Sequence, residues 1–166
     1  MIVGRDRVSI VEIGCGVGNA VLPLIEQHAK LTSQSPKISV HCLDFAPSAI
    51  DLLKKDTRFR EPHTAHVYDV SSMHPSTVNL DCGRTPSTLA GSADVAILLF
   101  CLSAIGPHPS PPLTRAAQHV IDILKPGGVL LMRDYGRLDE GESLMHGVAL
   151  VRALAIAEHQ NLLQLN

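Results

Sequence analysis

The 166-residue chain has no tryptophan, two tyrosines and three phenylalanines, so aromatics make up only 3% of it. That scarcity argues against a base-stacking platform built from interleaved aromatic side chains. Positive charge is not in excess either. Fourteen Lys and Arg stand against sixteen Asp and Glu, a formal charge of −2, so composition alone supplies no electrostatic footprint for nucleic acid. The four cysteines, Cys15, Cys42, Cys82 and Cys101, form no C-x-x-C pair, which argues against a zinc knuckle and gives no reason to expect a disulfide framework. A reducing compartment is the simpler expectation. No apolar run reaches about 18 residues, and the N-terminus MIVGRDRVSIV lacks the long apolar stretch of a signal peptide. The chain therefore reads as soluble and cytoplasmic, with no membrane partner. His63, His66 and His74 match no metal-ligand spacing, and no metal is expected.

What the chain does have is a 45% hydrophobic composition, enough for one domain with a real core. Arg7 to Ile13 (RVSIVEI) is short, β-branched and followed by glycines, as a buried parallel strand would be. From Asn19 onward the pattern turns helical, with Val21, Leu24, Ile25 and Ala29 on one face and Pro23 near the first turn. Ile38 to Leu43 reads as a second strand ending at Asp44, and Pro47 opens a helix over PSAIDLLKK. His66 to Tyr68 reads as a weaker third strand ending at Asp69. Ser71 to Ser92, rich in Ser, Thr, Pro and Gly, reads as a long surface loop with at most a fragment of helix.

Asp94 to Leu102 is an apolar run bounded by turn residues, a fourth strand. Leu113, Ala117, Val120, Ile121 and Leu124 mark an amphipathic helix halted by Lys125-Pro126-Gly127-Gly128, and Val129 to Arg133 resumes as a fifth strand. Strands alternating with helices imply an α/β domain, a doubly wound, mostly parallel sheet of Rossmann-like type. Residues 1–140 form this core. Residues 141–166 form a C-terminal tail in which Leu144 to Leu165 reads as one or two helices rather than further strands.

The chemistry is concentrated in VEIGCGVGN. Gly14, Gly16 and Gly18 follow a strand and open a helix, which lets the backbone approach a ligand across the carboxyl ends of the strands. A dinucleotide fold would want its third glycine where Asn19 stands. A G-x-G-x-G turn preceded by Glu12 better suits a zwitterionic sulfonium ligand such as S-adenosylmethionine; the alternative is a tight turn with no ligand. An acid ending the second strand can accept both hydroxyls of a ribose, and Asp44 stands there. Its alternative is a helix cap before Pro47. Asp69, ending the third strand, is placed for an adenine amino group or, equally, for a solvated turn. Three features on one sheet edge point jointly to a nucleoside-containing ligand.

VEIGCGVGNAVLPLIE, LDFAPSAIDLLKK, YDV, DVAILLFCLSAIGPH and ILKPGGVLLMRDYG, in that order, resemble the methyltransferase-like enzymes that make 3-methylcytidine in tRNA, a class I S-adenosylmethionine-dependent family. The resemblance runs from roughly Val8 to Leu138. It implies cofactor binding along Glu12, Gly14, Cys15, Gly16, Gly18 and Asn19, with Cys15 in a packing role. It further implies Asp44 and the adjoining Phe45 at the ribose, Asp69 and Val70 at the adenine end, and Leu99 closing the fourth strand. Arg133 and Asp134 are expected either to touch substrate or to orient a loop as a pair; Ser103 is expected to cap a helix or to touch substrate. The implied partner is tRNA, with a protein partner also possible on this reading.

Family members carry a substantial segment before the glycine motif and two further strands after the RDYG segment. Here about seven residues precede the first strand and no strand pair is visible at the end, so the chain is expected to be truncated at both ends and to lack the last strand pair. The competing function is accordingly a catalytically inactive methyltransferase-like domain acting as an interaction or regulatory module. A nicotinamide-dependent oxidoreductase is disfavoured by Asn19.

Overall fold

A computed structural model of the chain describes residues 6–31, 35–81, 86–105, 110–134 and 149–152. In chain order the elements are β1 (Arg7–Ile13), α1 (Val21–Ala29), β2 (Lys37–Asp44), α2 (Pro47–Lys55), β3 (Thr64–Val67), β4 (Asn79–Asp81), β5 (Pro86–Thr88), β6 (Ala93–Leu99), α3 (Pro111–Ile123), β7 (Leu124–Arg133) and β8 (Ala149–Arg152). The main sheet has the order β3-β2-β1-β6-β7-β8. Its first five strands are parallel, and β8 runs antiparallel to β7.

Both faces of this sheet are covered, which is why its strands read as nearly continuous apolar runs. Val8 and Ile10 of β1 turn to one face, where Val21 and Leu22 of α1 and Ile50 and Leu53 of α2 pack with Val40 and Cys42. Val11 and Ile13 turn to the other, where Ala116, Val120 and Ile123 of α3 pack with Leu43, Ala96 and Leu98. The helix starts follow local chemistry. Pro47 opens α2 at its first turn, and the Ser110 hydroxyl accepts from the Leu113 N–H ahead of Pro111 and α3. Strand order reverses between β1 and β6, the point at which an open α/β sheet forms a crevice beyond its carboxyl ends.

Four expectations need correction. Ser71 to Ser92 holds the expected fragment of helix, a 3-10 turn at Pro75–Thr77, but it is not only a surface loop: it carries the antiparallel pair β4–β5 and buries Val78, Leu80 and Leu89 in the core. Three-residue strands with one or two apolar residues each carry no readable period. The fourth strand of the sequence reading, β6, stops at Leu99, and Leu102–Ile105 is a 3-10 turn. The strand expected at Val129 begins at Leu124, because the Lys-Pro-Gly-Gly segment runs on alongside β6 through the Ala93–Leu124 pair, with a register irregularity.

Last, within the expected helical tail, residues 149–152 are a strand. ALVR is compatible with either state, and the open backbone edge of β7 decides it by offering hydrogen-bond partners. The remainder of the 141–166 tail, and Tyr135 and Gly136 of the RDYG segment, lie outside the described residues, as does Cys82. Among the described residues no helix is long and apolar enough to cross a membrane.

Candidate functional site

Beyond Ile13 the chain turns through Gly14, Gly16 and Gly18 at φ values of 74°, 53° and 90°, a left-handed conformation that side chains disfavour. The turn is pinned to the end of β2, since the N–H groups of Gly14 and Cys15 both donate to the Leu43 carbonyl at 2.8 and 3.0 Å. The three glycines are needed for different reasons. A Cβ on Gly18 would lie 2.6 Å from Cδ1 of Leu53, and one on Gly14 would lie 3.0 Å from Cβ and Sγ of Cys101. A Cβ on Gly16 would meet nothing within 4 Å. Gly14 and Gly18 permit close packing; Gly16 leaves open space above the turn. Asn19 is exposed on the same turn, just ahead of α1.

Asp44 closes β2 beneath this turn. Its Oδ2 accepts from the Gly16 N–H at 2.7 Å and its Oδ1 from the Ala46 N–H at 2.9 Å, in a buried position. Each oxygen uses one acceptor site on these bonds and retains another. Phe45 follows at 75% exposure. The Asp44 carbonyl accepts from the Tyr68 N–H at 2.9 Å, which brings the end of β3 alongside. Asp69 there is largely committed to its own turn: Oδ1 accepts from the Ser71 N–H and hydroxyl at 2.8 and 2.6 Å, and Oδ2 from the Ser72 hydroxyl at 2.8 Å. These bonds, the Ser71 hydroxyl foremost, hold its carboxyl below the usual range. Val70 is buried, its carbonyl accepting from Nδ1 of His119 at 2.8 Å.

Glu12 lies two residues before the glycine turn at 3% exposure, and its Oε2 has no hydrogen-bond partner among the described residues. Burial first, and the Asp44 charge second, push its carboxyl up to about 7. Cys15 and Cys42 are buried, with Cys15 Sγ donating to the Gly16 carbonyl at 3.5 Å; the neighbouring Cys15 thiol first, and burial second, raise the Cys42 thiol, and burial pushes Cys101 up to about 11. Neither Cys42 nor Cys101 is poised as a nucleophile.

The other half of the rim is formed by β6 and β7. Leu99 ends β6 half-buried, and Phe100 follows at φ 52°, the one non-glycine residue with positive φ among those described. Its N–H donates to the Arg133 carbonyl at 2.7 Å, and the Arg133 guanidinium lies 5.3 Å from the centre of its ring. Asp134 Oδ2 accepts from the Ser103 N–H at 3.1 Å, so Asp134 holds the loop after β6, and Ser103 is bonded through its backbone from within a 3-10 turn. Sequence reasoning singled out Arg133 and Asp134 but missed Phe100. The only signal for it was position: one of three phenylalanines, directly after the most apolar strand.

Gly16 and Asp44 are thus in direct contact, Glu12 lies under them, and Asp69 stands one strand beyond on the same rim. The histidines do not join them. His63 Nδ1 accepts from the Val40 N–H, His66 lies against the Thr64 hydroxyl, and His74 caps the Pro75 turn. A cavity of about 460 Å³ lined by Ser9, Ser39, His41 and Lys125 lies at the opposite, amino-terminal edge. Its Lys125 is neutralised by Asp94 at 2.8 Å, which leaves little charge for a ligand.

Comparison with known proteins agrees with this geometry. The methyltransferase domain model matches residues 11–130. The tRNA N(3)-cytidine methyltransferase METTL2 of Danio rerio is 38% identical over 132 residues, covering 78% of this chain and 32% of that protein. The tRNA(Thr) (cytosine(32)-N(3))-methyltransferase of Saccharomyces cerevisiae is 33% identical over 135 residues, covering 81% of this chain and 19% of that one. The chain therefore spans a third or less of the length of these two relatives. The crystal structure of an S-adenosylmethionine-dependent methyltransferase from Methanosarcina mazei superposes with a TM-score of 0.57 at 23% identity, covering 81% of this chain and 55% of that one, and shows a shared Rossmann-like class I fold. With the family model matching well over half of its length, the chain belongs to the methyltransferase domain family.

Proposed function

We propose that the chain is the cofactor-binding core of an S-adenosylmethionine-dependent methyltransferase that acts on N3 of cytidine in tRNA. The observation that carries this reading is the contact of Asp44 with the Gly16 N–H below a glycine whose Cβ position is open. The residues present fit the cofactor. Asp44 retains an acceptor site on each oxygen for a pair of ribose hydroxyls, and Gly16 lets the backbone come close. Phe45 offers an exposed ring beside the ribose acid, and Asp69 keeps one acceptor site on Oδ2 for an adenine amino group. Glu12, buried without a partner for Oε2, is placed to ionise below the turn and so balance a cationic ligand.

When bound, S-adenosylmethionine supplies a methyl group activated by a sulfonium. The protein's task is alignment of the attacking atom with that methyl, an effect that reaches about 7 kcal/mol or more in well-oriented systems. Cytosine N3 presents an unprotonated lone pair at neutral pH, so no strong general base is required of the rim. Methylation leaves the base cationic, and the Asp134 carboxylate on the β7 side provides an oxygen that favours such charge. The tRNA assignment is supported by the relatives named above. The formal charge of −2 supplies no broad phosphate-binding surface, and a basic protein partner would fit that balance.

Transfer of labelled methyl from S-adenosylmethionine into total tRNA, followed by nucleoside analysis, tests the proposal. Label in 3-methylcytidine is the expected result. Label in protein or a small molecule retains the cofactor and discards the RNA, whereas absence of S-adenosylhomocysteine binding by calorimetry discards both.

A further inference from the structure

Few aromatic residues are available to this chain, and two of its three phenylalanines stand exposed at the carboxyl ends of the parallel strands, Phe45 at 75% and Phe100 at 41%, while Phe59 is buried. Phe45 adjoins the ribose acid and belongs to the cofactor half. Phe100 belongs to the other half, and its backbone is held where an aromatic residue is disfavoured, at φ 52°. The surrounding structure fixes that conformation. The Phe100 N–H is tied to the Arg133 carbonyl at 2.7 Å, and the next residue, Cys101, is packed so closely on Gly14 that a Cβ there would lie 3.0 Å from its Cβ and Sγ. Arg133 lies 5.3 Å from the ring centre, so a guanidinium backs the ring while a large part of the residue stays open to solvent. A half-exposed ring held at a conformational penalty beside the cofactor turn is placed to meet a ligand on the rim.

We propose that Phe100 is the platform on which the target base stacks during methyl transfer, with Arg133 holding the ring in place. This rests on the function proposed above. The base must leave its own stack to present N3, and an aromatic face replaces part of what it loses. A single ring is enough for a single base, so the low aromatic content excludes a multi-base platform but not this one. Arg133 is then a positioning residue, acting through Phe100 rather than on the base.

The test compares the full chain, loaded with S-adenosylhomocysteine, on two RNA hairpins that differ only in carrying a loop cytidine or an abasic site. Wild type is expected to prefer the cytidine hairpin. Phe100→Gly is expected to lose about tenfold or more of that preference, and Phe100→Tyr to keep it. Because glycine is at ease at this φ, the strain it relieves offsets the added freedom of the unfolded chain, so Phe100→Gly is expected to stay folded with a thermal midpoint close to wild type and to leave S-adenosylhomocysteine affinity intact. In methyl transfer its defect should appear mainly in KM for RNA. Retention of the cytidine preference in Phe100→Gly overturns the stacking assignment alone, as does a parallel loss of cofactor affinity, which would mark a structural role. Absence of any preference in wild type overturns the RNA reading and this inference together.

Discussion

The Asp44 carboxylate accepts the Gly16 N–H at 2.7 Å, and this one bond ties the end of β2 to the turn that follows β1. The same carboxylate caps Ala46 at the start of α2. Asp44→Ala removes both acceptors and any ribose contact at once. S-adenosylhomocysteine affinity measured by calorimetry should fall at least tenfold. Urea denaturation should show a loss of about 1–3 kcal/mol, because two backbone donors lose their partners. Unchanged affinity in a folded variant would remove the ribose assignment.

Gly16 and Gly18 share a left-handed backbone but not an environment, so the same substitution should separate affinity from stability. Gly18→Ala forces a Cβ against Leu53 and Leu22 and should destabilise by about 2–4 kcal/mol through overpacking added to backbone strain. Gly16→Ala meets no atom and should cost about 1–2 kcal/mol, the conformational penalty alone. Its larger effect should be on the cofactor, since the new methyl fills the space through which a ligand approaches. Equal loss of stability in the two variants, read by thermal unfolding, would contradict this division.

Much of this rim was legible because its determinants are local. Gly14, Gly16 and Gly18 announce a turn that L side chains resist, and Pro47 and the Val and Ile of β1 and β2 announce their own elements. Asp44 was legible as an acid at a strand end. For Asp69 the sequence supports a turn and an adenine contact equally, and the structure shows that Ser71 and Ser72 occupy most of its acceptor capacity. Phe100 was not legible, because its φ is imposed by Arg133 and, through the packing of Cys101, by Gly14, both from distant parts of the chain, and no residue pattern encodes that. The β4–β5 pair and β8 were missed for a related reason: each is three or four residues long and is decided by its pairing partner rather than by its composition.

At the far edge of the sheet, Asp94 accepts from the Lys125 ammonium and from the Ser9 N–H, both at 2.8 Å, with its own side chain at 3% exposure. It joins β6 to the starts of β7 and β1. Asp94→Ala leaves one ammonium and one backbone donor unmatched and should destabilise by about 2–4 kcal/mol. Because this edge lies opposite the rim, S-adenosylhomocysteine affinity should be unchanged where the variant is folded. A cofactor defect without loss of stability would count against the separation of the two edges.

Glu12 gives the chain a distinctive pH response. Its carboxyl is raised from 4.5 to about 7 in the fold, so between these values the unfolded chain has released a proton that the folded chain retains. The unfolded state then binds fewer protons, and stability from this group falls as pH rises from about 4.5 to about 7. His41 acts in the opposite sense. Burial, with nearby His66, His63 and Lys125, lowers it from 6.5 to about 4, so its contribution is lost as pH falls through that window. The net profile of wild type therefore conceals both groups, and the difference between wild type and Glu12→Gln isolates one of them. That difference should be small near pH 4.5 and should reach about 3 kcal/mol in favour of the variant at pH 8, by urea denaturation. A cationic ligand beside the turn reverses the preference by favouring the ionised carboxyl. Binding of S-adenosylmethionine near pH 6.5 should then release a proton, read by calorimetry in buffers of different ionisation heat, and Glu12→Gln should abolish that release. Equal proton release by variant and wild type would place the charge-balancing role elsewhere.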